Sequence, residues 1–141
     1  MTFISVAVGK IIEMIVYSDG SCIGNPGNGG WCFLFTNENY LRSGCSKNTT
    51  NNRMELQAVI EALRYGEEKM YVEFEIHTDS QYVINCALRL FKRKKNLDLW
   101  EQYDLLSKDK VVKYVWVKGH SGDKFNEVVD MVAQKEAKSC L

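Results

Sequence analysis

The sequence predicts a single α/β domain, a mixed sheet covered by helices. Three observations predict it. Along the chain the pattern runs three strands, helix, strand, helices, strand, helix, and such an order builds a sheet with helices packed on it. The 141 residues amount to about one domain and can bury enough surface to fold without a disulfide or a metal. No repeat, linker or low-complexity stretch divides them.

Residues 1–12 precede this pattern as an N-terminal extension of undetermined structure, and the predicted domain is 13–141. The extension has an apolar stretch but no basic region before it, and it does not read as a signal peptide. The first strand is EMIVYS, Glu13 to Ser18, ended by turn chemistry at Asp19, Gly20 and Ser21. After the glycine-rich loop CIGNPGNGG, the runs WCFLF and YLRSGC are two further strands joined by the polar turn TNEN. TTNN supplies N-cap residues for MELQAVIEALRYG, where Leu56, Val59, Ile60 and Leu63 recur at helical spacing and Gly66 offers a stop. Val72, Phe74, Ile76 and Thr78 alternate with Glu73, Glu75, His77 and Asp79, the period of a half-buried strand. Ser80 caps a short helix predicted to reach about Leu90, and LDLWEQYDLL is a further helical stretch. VVKYVWV is the last strand. Beyond the loop KGHSGDKF, the segment NEVVDMVAQKEAK is a closing helix with Val128, Val129 and Val132 inward.

Composition narrows the function classes. Charged residues at 26% beside 45% hydrophobic residues argue against disorder, and no apolar run approaches the length that spans a bilayer. A soluble protein with no membrane partner is expected. The 18 Lys and Arg balance 18 Asp and Glu, which at face value argues against a nucleic-acid partner. The five cysteines, at 22, 32, 45, 86 and 140, show neither CxxC pairing nor zinc-ligand spacing. They read as reduced thiols of a cytoplasmic protein.

Four acids stand where folding alone has little use for them. Asp19 ends the first strand and Asp79 the fourth, so in neighbouring parallel strands both carboxylates emerge at one rim of the sheet, where open α/β sheets place ligands. Glu55 lies in the first turn of the main helix, one residue before its apolar stripe begins. Asp130 is flanked by Val128, Val129, Met131, Val132 and Ala133, so at least partial burial is expected, and a buried carboxylate needs a cation. Converging carboxylates raise one another's pKa unless positive charge stands between them. Mg²⁺ or Mn²⁺ suits an all-oxygen set. Taken singly, each acid also has a plain reading as a strand-end, capping, dipole or ion-pair residue.

The stretches YSDGSCIGNPGNGGW, TTNNRMELQAVIEAL, IHTDSQYV, WVKGHSG and NEVVDMVA, in this order, resemble ribonuclease H of type 1 over about residues 13 to 137. The resemblance implies the ribonuclease-H-like fold, a five-stranded mixed sheet flanked by helices, and cleavage of the RNA strand of RNA–DNA hybrids. It implies that Asp19, Glu55, Asp79 and Asp130 are the catalytic, metal-binding set for two Mg²⁺ ions, with Mn²⁺ as a substitute. His120 would be the mobile auxiliary residue, moving a proton or assisting product release. The product ends would be a 5′-phosphate and a 3′-hydroxyl. His77, inside a strand, is expected to be structural instead.

Telling RNA from DNA requires reading the 2′-hydroxyl, which an A-form-like duplex offers in a wide, shallow minor groove. By resemblance, Cys22, Gly24 and Asn25 lie against the hybrid, Asn52 and Gln81 read the minor groove, and Glu55 also accepts from a 2′-hydroxyl. Thr50 and Asn51 would hold a phosphate of the DNA strand, although capping of the helix is an equal reading for Thr50, Asn51 and Asn52. The cluster RLFKRKK, residues 89–95, has five cations and no acid. It is either a solvated face or, through Arg89, Lys92, Arg93, Lys94 and Lys95, a short remnant of a basic protrusion that some family members carry. Weaker, strongly salt-dependent hybrid binding is the expectation. A non-cutting binding module and a DNA-cutting nuclease on the same fold are the rival functions. A monomer is expected.

Overall fold

The apolar run Met14-Ile15-Val16-Tyr17 at the start of the domain forms a strand. In a computed structural model, which describes residues 11–141, β1 (Glu13–Cys22), β2 (Gly27–Phe35) and β3 (Tyr40–Thr49) make an antiparallel meander. There follow α1 (Asn51–Glu68), β4 (Glu73–Thr78), α2 (Gln81–Ala87), α3 (Leu97–Ser107), β5 (Val111–Trp116) and α4 (Lys124–Lys138). Both β4 and β5 run parallel to β1, giving one five-stranded mixed sheet in the order β3-β2-β1-β4-β5. The fold class is as expected. The first ten residues of the expected extension lie outside the described part, and Glu13 begins the sheet. Among the described residues no helix is long and apolar enough to cross a membrane.

The two sides of the sheet carry alternate residues of each strand, as the pleat requires. Val16, Phe33, Phe35, Phe74 and Ile76 pack with Leu56, Val59, Ile60 and Leu63 of α1 and with Leu99, Trp100 and Tyr103 of α3. On the other face Tyr17, Cys32 and Leu34 meet Val129 and Ala133 of α4. Thr50 caps α1, its hydroxyl accepting from the Arg53 amide at 3.3 Å, and Ser80 caps α2 by accepting from Val83 at 3.1 Å. His77 is held within the sheet by stacking on Tyr17, 4.4 Å between centroids, and by a 2.7 Å contact with Glu75.

Several boundaries differ from the sequence expectation, each for a tertiary reason. β1 does not end at Asp19. It continues to Cys22 because β2 still offers a partner there, Asp19 opposite Cys32 and Cys22 opposite Gly29. Gly66 does not stop α1, which runs on to Glu68. Its missing side chain instead admits the Phe74 ring, since a Cβ there would stand 2.5 Å from that ring. α2 ends at Ala87, short of Leu90, where Arg89 adopts φ 59° and the Leu90 amide turns back to the Asn85 carbonyl. The inward stripe of α4 is Asn126, Val129, Ala133 and Ala137, with Val128 and Val132 at its margin.

The cysteine expectation is corrected. Cys45 and Cys140 are joined, with Cα atoms 5.8 Å apart, while Cys22, Cys32 and Cys86 are free. The pair is 95 residues apart in sequence, so no local spacing announces it. The fold makes it by laying the edge strand β3 beside the C-terminal end of α4.

Candidate active site

Asp19 lies at the point where β1 loses its neighbour β4 and keeps only β2. Next to it, Gly20 turns its α-carbon toward the first turn of α1. A Cβ at Gly20 would stand 2.3 Å from the Glu55 backbone nitrogen, so only glycine lets the helix approach this closely. The approach has a chemical result. The Gly20 amide donates to Asp19 Oδ1 at 2.9 Å and to Glu55 Oε1 at 2.7 Å, binding strand and helix acids to one N–H. Asp79 follows the end of the parallel strand β4 and faces the same rim.

Carboxylate oxygens of Asp19, Glu55 and Asp79 all lie within 4.8 Å of one another. Asp19 is 2% exposed and Glu55 7%, and Asp19 Oδ2 has no hydrogen-bond partner among the described residues. Burial first, then the charge of Asp79 and a side-chain hydrogen bond with Asp130, push the Asp19 carboxyl up to about 8 against the pull of its hydrogen bonds with Glu55 and the Gly20 amide. Burial and then Asp19 hold Glu55 well above the carboxylate range. Asp79 is also raised, by burial first and then by Asp130. Three acids with an orphaned buried oxygen form a site that lacks positive charge. A hard divalent cation fits it, because oxygen donors in this number match Mg²⁺ or Mn²⁺ and, among the described residues, no thiol or imidazole joins the group.

The other sequence-predicted residues are spread around this rim. Asp130, partly buried on α4, is near enough to act on Asp19 and Asp79 but is outside the tight group of three. Its Oδ2 accepts from Gln134 Nε2 at 3.0 Å, one helical turn on. His120 is exposed in the loop between β5 and α4, at φ 55°. Its neighbour Gly119 passes Asp79 so closely that a Cβ there would be 3.1 Å from Oδ2.

Asn25 Oδ1 accepts from the Asn51 amide at 2.8 Å, which ties the glycine-rich loop to the start of α1. The Cys22 thiol donates to the Thr49 carbonyl at 3.3 Å, and Gly24 turns the loop at φ 78°. Asn25, Thr50, Asn51 and Asn52 line a groove of about 320 Å³ together with Lys95 and Asn96. Gln81, exposed at the first turn of α2, lines a second groove with Ile84, Asn85 and Trp116, whose indole donates to the Asp79 carbonyl at 3.3 Å.

Three contributors were not legible as site residues. Gly20 looks like turn chemistry, Asn96 looks like a loop residue, and Gln134 is signalled only by its helical spacing from Asp130. The basic cluster also divides. Arg93 is not a free cation, for its side chain is only 7% exposed, its guanidinium lies 4.3 Å from the Trp100 ring centroid and 2.8 Å from Asp104, and it donates to the Cys86 carbonyl. Arg89 is 3.4 Å from the same Asp104, whereas Lys92, Lys94 and Lys95 are exposed.

The chain is similar to known proteins over most of its length. The sequence model of the RNase H family matches residues 12–138. A ribonuclease H of Campylobacter jejuni (strain 81-176) is 39% identical over 132 residues, covering 86% of this chain and 89% of that protein. A ribonuclease H of Wolbachia pipientis wMel is 38% identical over 138 residues, covering 87% of this chain and 94% of that one. Among solved structures, the N-terminal RNase H domain of rv2228c from Mycobacterium tuberculosis superposes with a TM-score of 0.80 at 21% identity. That match covers 90% of this chain and 94% of the other.

Proposed function

The chain belongs to the ribonuclease H family of nucleases, and we propose that residues 13–141 hydrolyse the RNA strand of RNA–DNA hybrids by a two-metal-ion mechanism. The observation that carries this reading is the convergence of Asp19, Glu55 and Asp79, from three separate elements, within 4.8 Å at one rim of the sheet. When bound, two Mg²⁺ ions, or Mn²⁺ in their place, supply activation of the attacking water and stabilisation of the leaving 3′ oxygen, so that 5′-phosphate and 3′-hydroxyl ends result.

The residues of the chain do the rest. Asp19, Glu55, Asp79 and Asp130 form the ligand set, with Asp19 Oδ2 free of hydrogen-bond partners among the described residues. Gly20 holds the carboxylates of Asp19 and Glu55 in register through its single amide. His120, exposed beside the rim, takes or returns a proton at its imidazole and assists product release. Cys22, Gly24 and Asn25 approach the hybrid backbone, Asn52 and Gln81 read the minor groove, and Glu55 accepts from a 2′-hydroxyl. Thr50 and Asn51 hold a phosphate of the DNA strand. Capping does not compete with that role, because Thr50 caps with its hydroxyl oxygen and leaves the hydroxyl proton available. The enzyme acts as a monomer in the cytoplasm.

The test uses end-labelled RNA–DNA hybrid, single-stranded RNA, double-stranded RNA and double-stranded DNA, each with Mg²⁺ or EDTA, beside the variant Asp79→Asn. Only the hybrid should be cut, only with Mg²⁺, and the variant should lose at least about a hundredfold in rate. Cutting that persists in EDTA or in the variant refutes the metal mechanism.

A further inference from the structure

The bond between Cys45 and Cys140 joins two places that matter differently to the molecule. Cys45 is exposed on β3, the edge strand, whereas Cys140 is 8% exposed just beyond α4. Around the pair, α4 is seated on the sheet by contacts that leave little slack. A Cβ at Gly30 of β2 would stand 2.2 Å from the Ala133 carbonyl oxygen and 2.7 Å from the Ala137 amide nitrogen. The Ser43 hydroxyl donates to Glu136 Oε2 at 2.5 Å, and Asn28 Nδ2 donates to the Cys140 carbonyl at 3.1 Å. The same helix carries the half-buried Asp130, whose side chain reaches hydrogen-bonding range of Asp19 and whose charge acts on Asp79.

We propose that Cys45 and Cys140 are a reversible thiol–disulfide site whose closure pins the C-terminal end of α4 to β3 and thereby steadies Asp130 at the acidic pocket. A cysteine bond in a protein of the cytoplasm is usually a transient, redox-dependent one. The exposure of Cys45 gives an external thiol or disulfide access to one sulfur of the pair, which exchange requires. The remaining cysteines are poor competitors. Cys32 and Cys86 are buried, and Cys22 is engaged with the Thr49 carbonyl.

Closure proceeds by exchange with a low-molecular-weight disulfide. The Cys45 thiolate attacks one of its sulfurs and the other leaves as a thiolate. The Cys140 thiolate then attacks Cys45 Sγ and expels the second external thiolate. The two cysteine sulfurs lose two electrons in total, the external disulfide becomes two thiols, and the two cysteine protons end on them. A dithiol reductant drives the reverse, attacking the accessible Cys45 and releasing Cys140 as the thiolate.

The test compares the full chain after dithiothreitol and after oxidised glutathione, beside Cys45→Ser, which removes an exposed sulfur. Alkylation and mass measurement count free thiols, thermal unfolding in EDTA reads stability, and calorimetry reads Mn²⁺ affinity. Oxidation should remove two thiols, raise the Tm by about 10 °C and tighten Mn²⁺ binding about fivefold, with none of these changes in Cys45→Ser. An unchanged thiol count, or a shift that survives in Cys45→Ser, overturns the proposal. So does a rise in Tm with unaltered Mn²⁺ affinity, because the bond would then staple the chain without reaching Asp130.

Discussion

Asp19 shows how one residue couples stability to function. Its carboxyl is held up at about 8 in the folded chain, while in the unfolded chain it has the ordinary value near 4. A carboxyl raised on folding contributes stability fully below the unfolded value, and that contribution is lost as pH rises through the folded one. Metal-free protein is therefore expected to lose thermal stability between about pH 4 and pH 8, and Mg²⁺ added at pH 8 to restore it. Unfolding scans across that range with EDTA and with Mg²⁺ check this, and a flat EDTA profile would contradict it. Asp19→Asn should likewise raise the stability of the metal-free protein at pH 8, by roughly 2 kcal/mol, while abolishing hybrid cleavage. Each acid was legible in the sequence as a carboxylate at a place of little folding use. The amide that joins two of them was not, because Gly20 acts through its backbone and through the side chain it lacks.

At the level of the element, the segment between α2 and α3 divides into structural and available cations. Arg93 lies over Trp100, pairs with Asp104 of α3 and donates to the end of α2, so Arg93→Ala should cost roughly 2 kcal/mol in denaturant unfolding. Lys92, Lys94 and Lys95 are exposed and carry no such load. Replacing these three by Ala should leave stability within about 0.5 kcal/mol but weaken hybrid binding and flatten its salt dependence, by up to about 0.9 in slope for each lost phosphate contact. Binding isotherms over a salt series measure it, and an unchanged slope would remove the three lysines from the interface. A run of charges in a sequence cannot disclose this division. Trp100 and Asp104 come from another element, and only packing brings them to Arg93. By contrast α1 and β4 were readable in outline, since their apolar periodicities are local and both faces of each are defined by neighbours at fixed spacing.

For the whole molecule, the balance of 18 cations and 18 anions conceals an uneven distribution. Setting aside the four proposed ligand acids leaves 14 anions against 18 cations, so a chain loaded with two divalent ions carries a net positive charge of about 4. Affinity for an uncleavable hybrid analogue should accordingly fall at least about tenfold when Mg²⁺ is replaced by EDTA, read by fluorescence anisotropy at constant ionic strength. Equal affinities would mean that the pocket's charge does not reach the hybrid. The order of strands and helices and the family were readable from the chain alone, because periodicity, capping and motif spacing are properties of neighbours along the chain. Tertiary contacts were needed to show that β1 passes beyond Asp19, that one Gly20 amide serves two carboxylates, that the Arg93 side chain is largely covered, and that Cys45 meets Cys140. Each of these is a contact between segments remote in sequence, and such contacts depend on sheet register and helix docking, which no local pattern encodes.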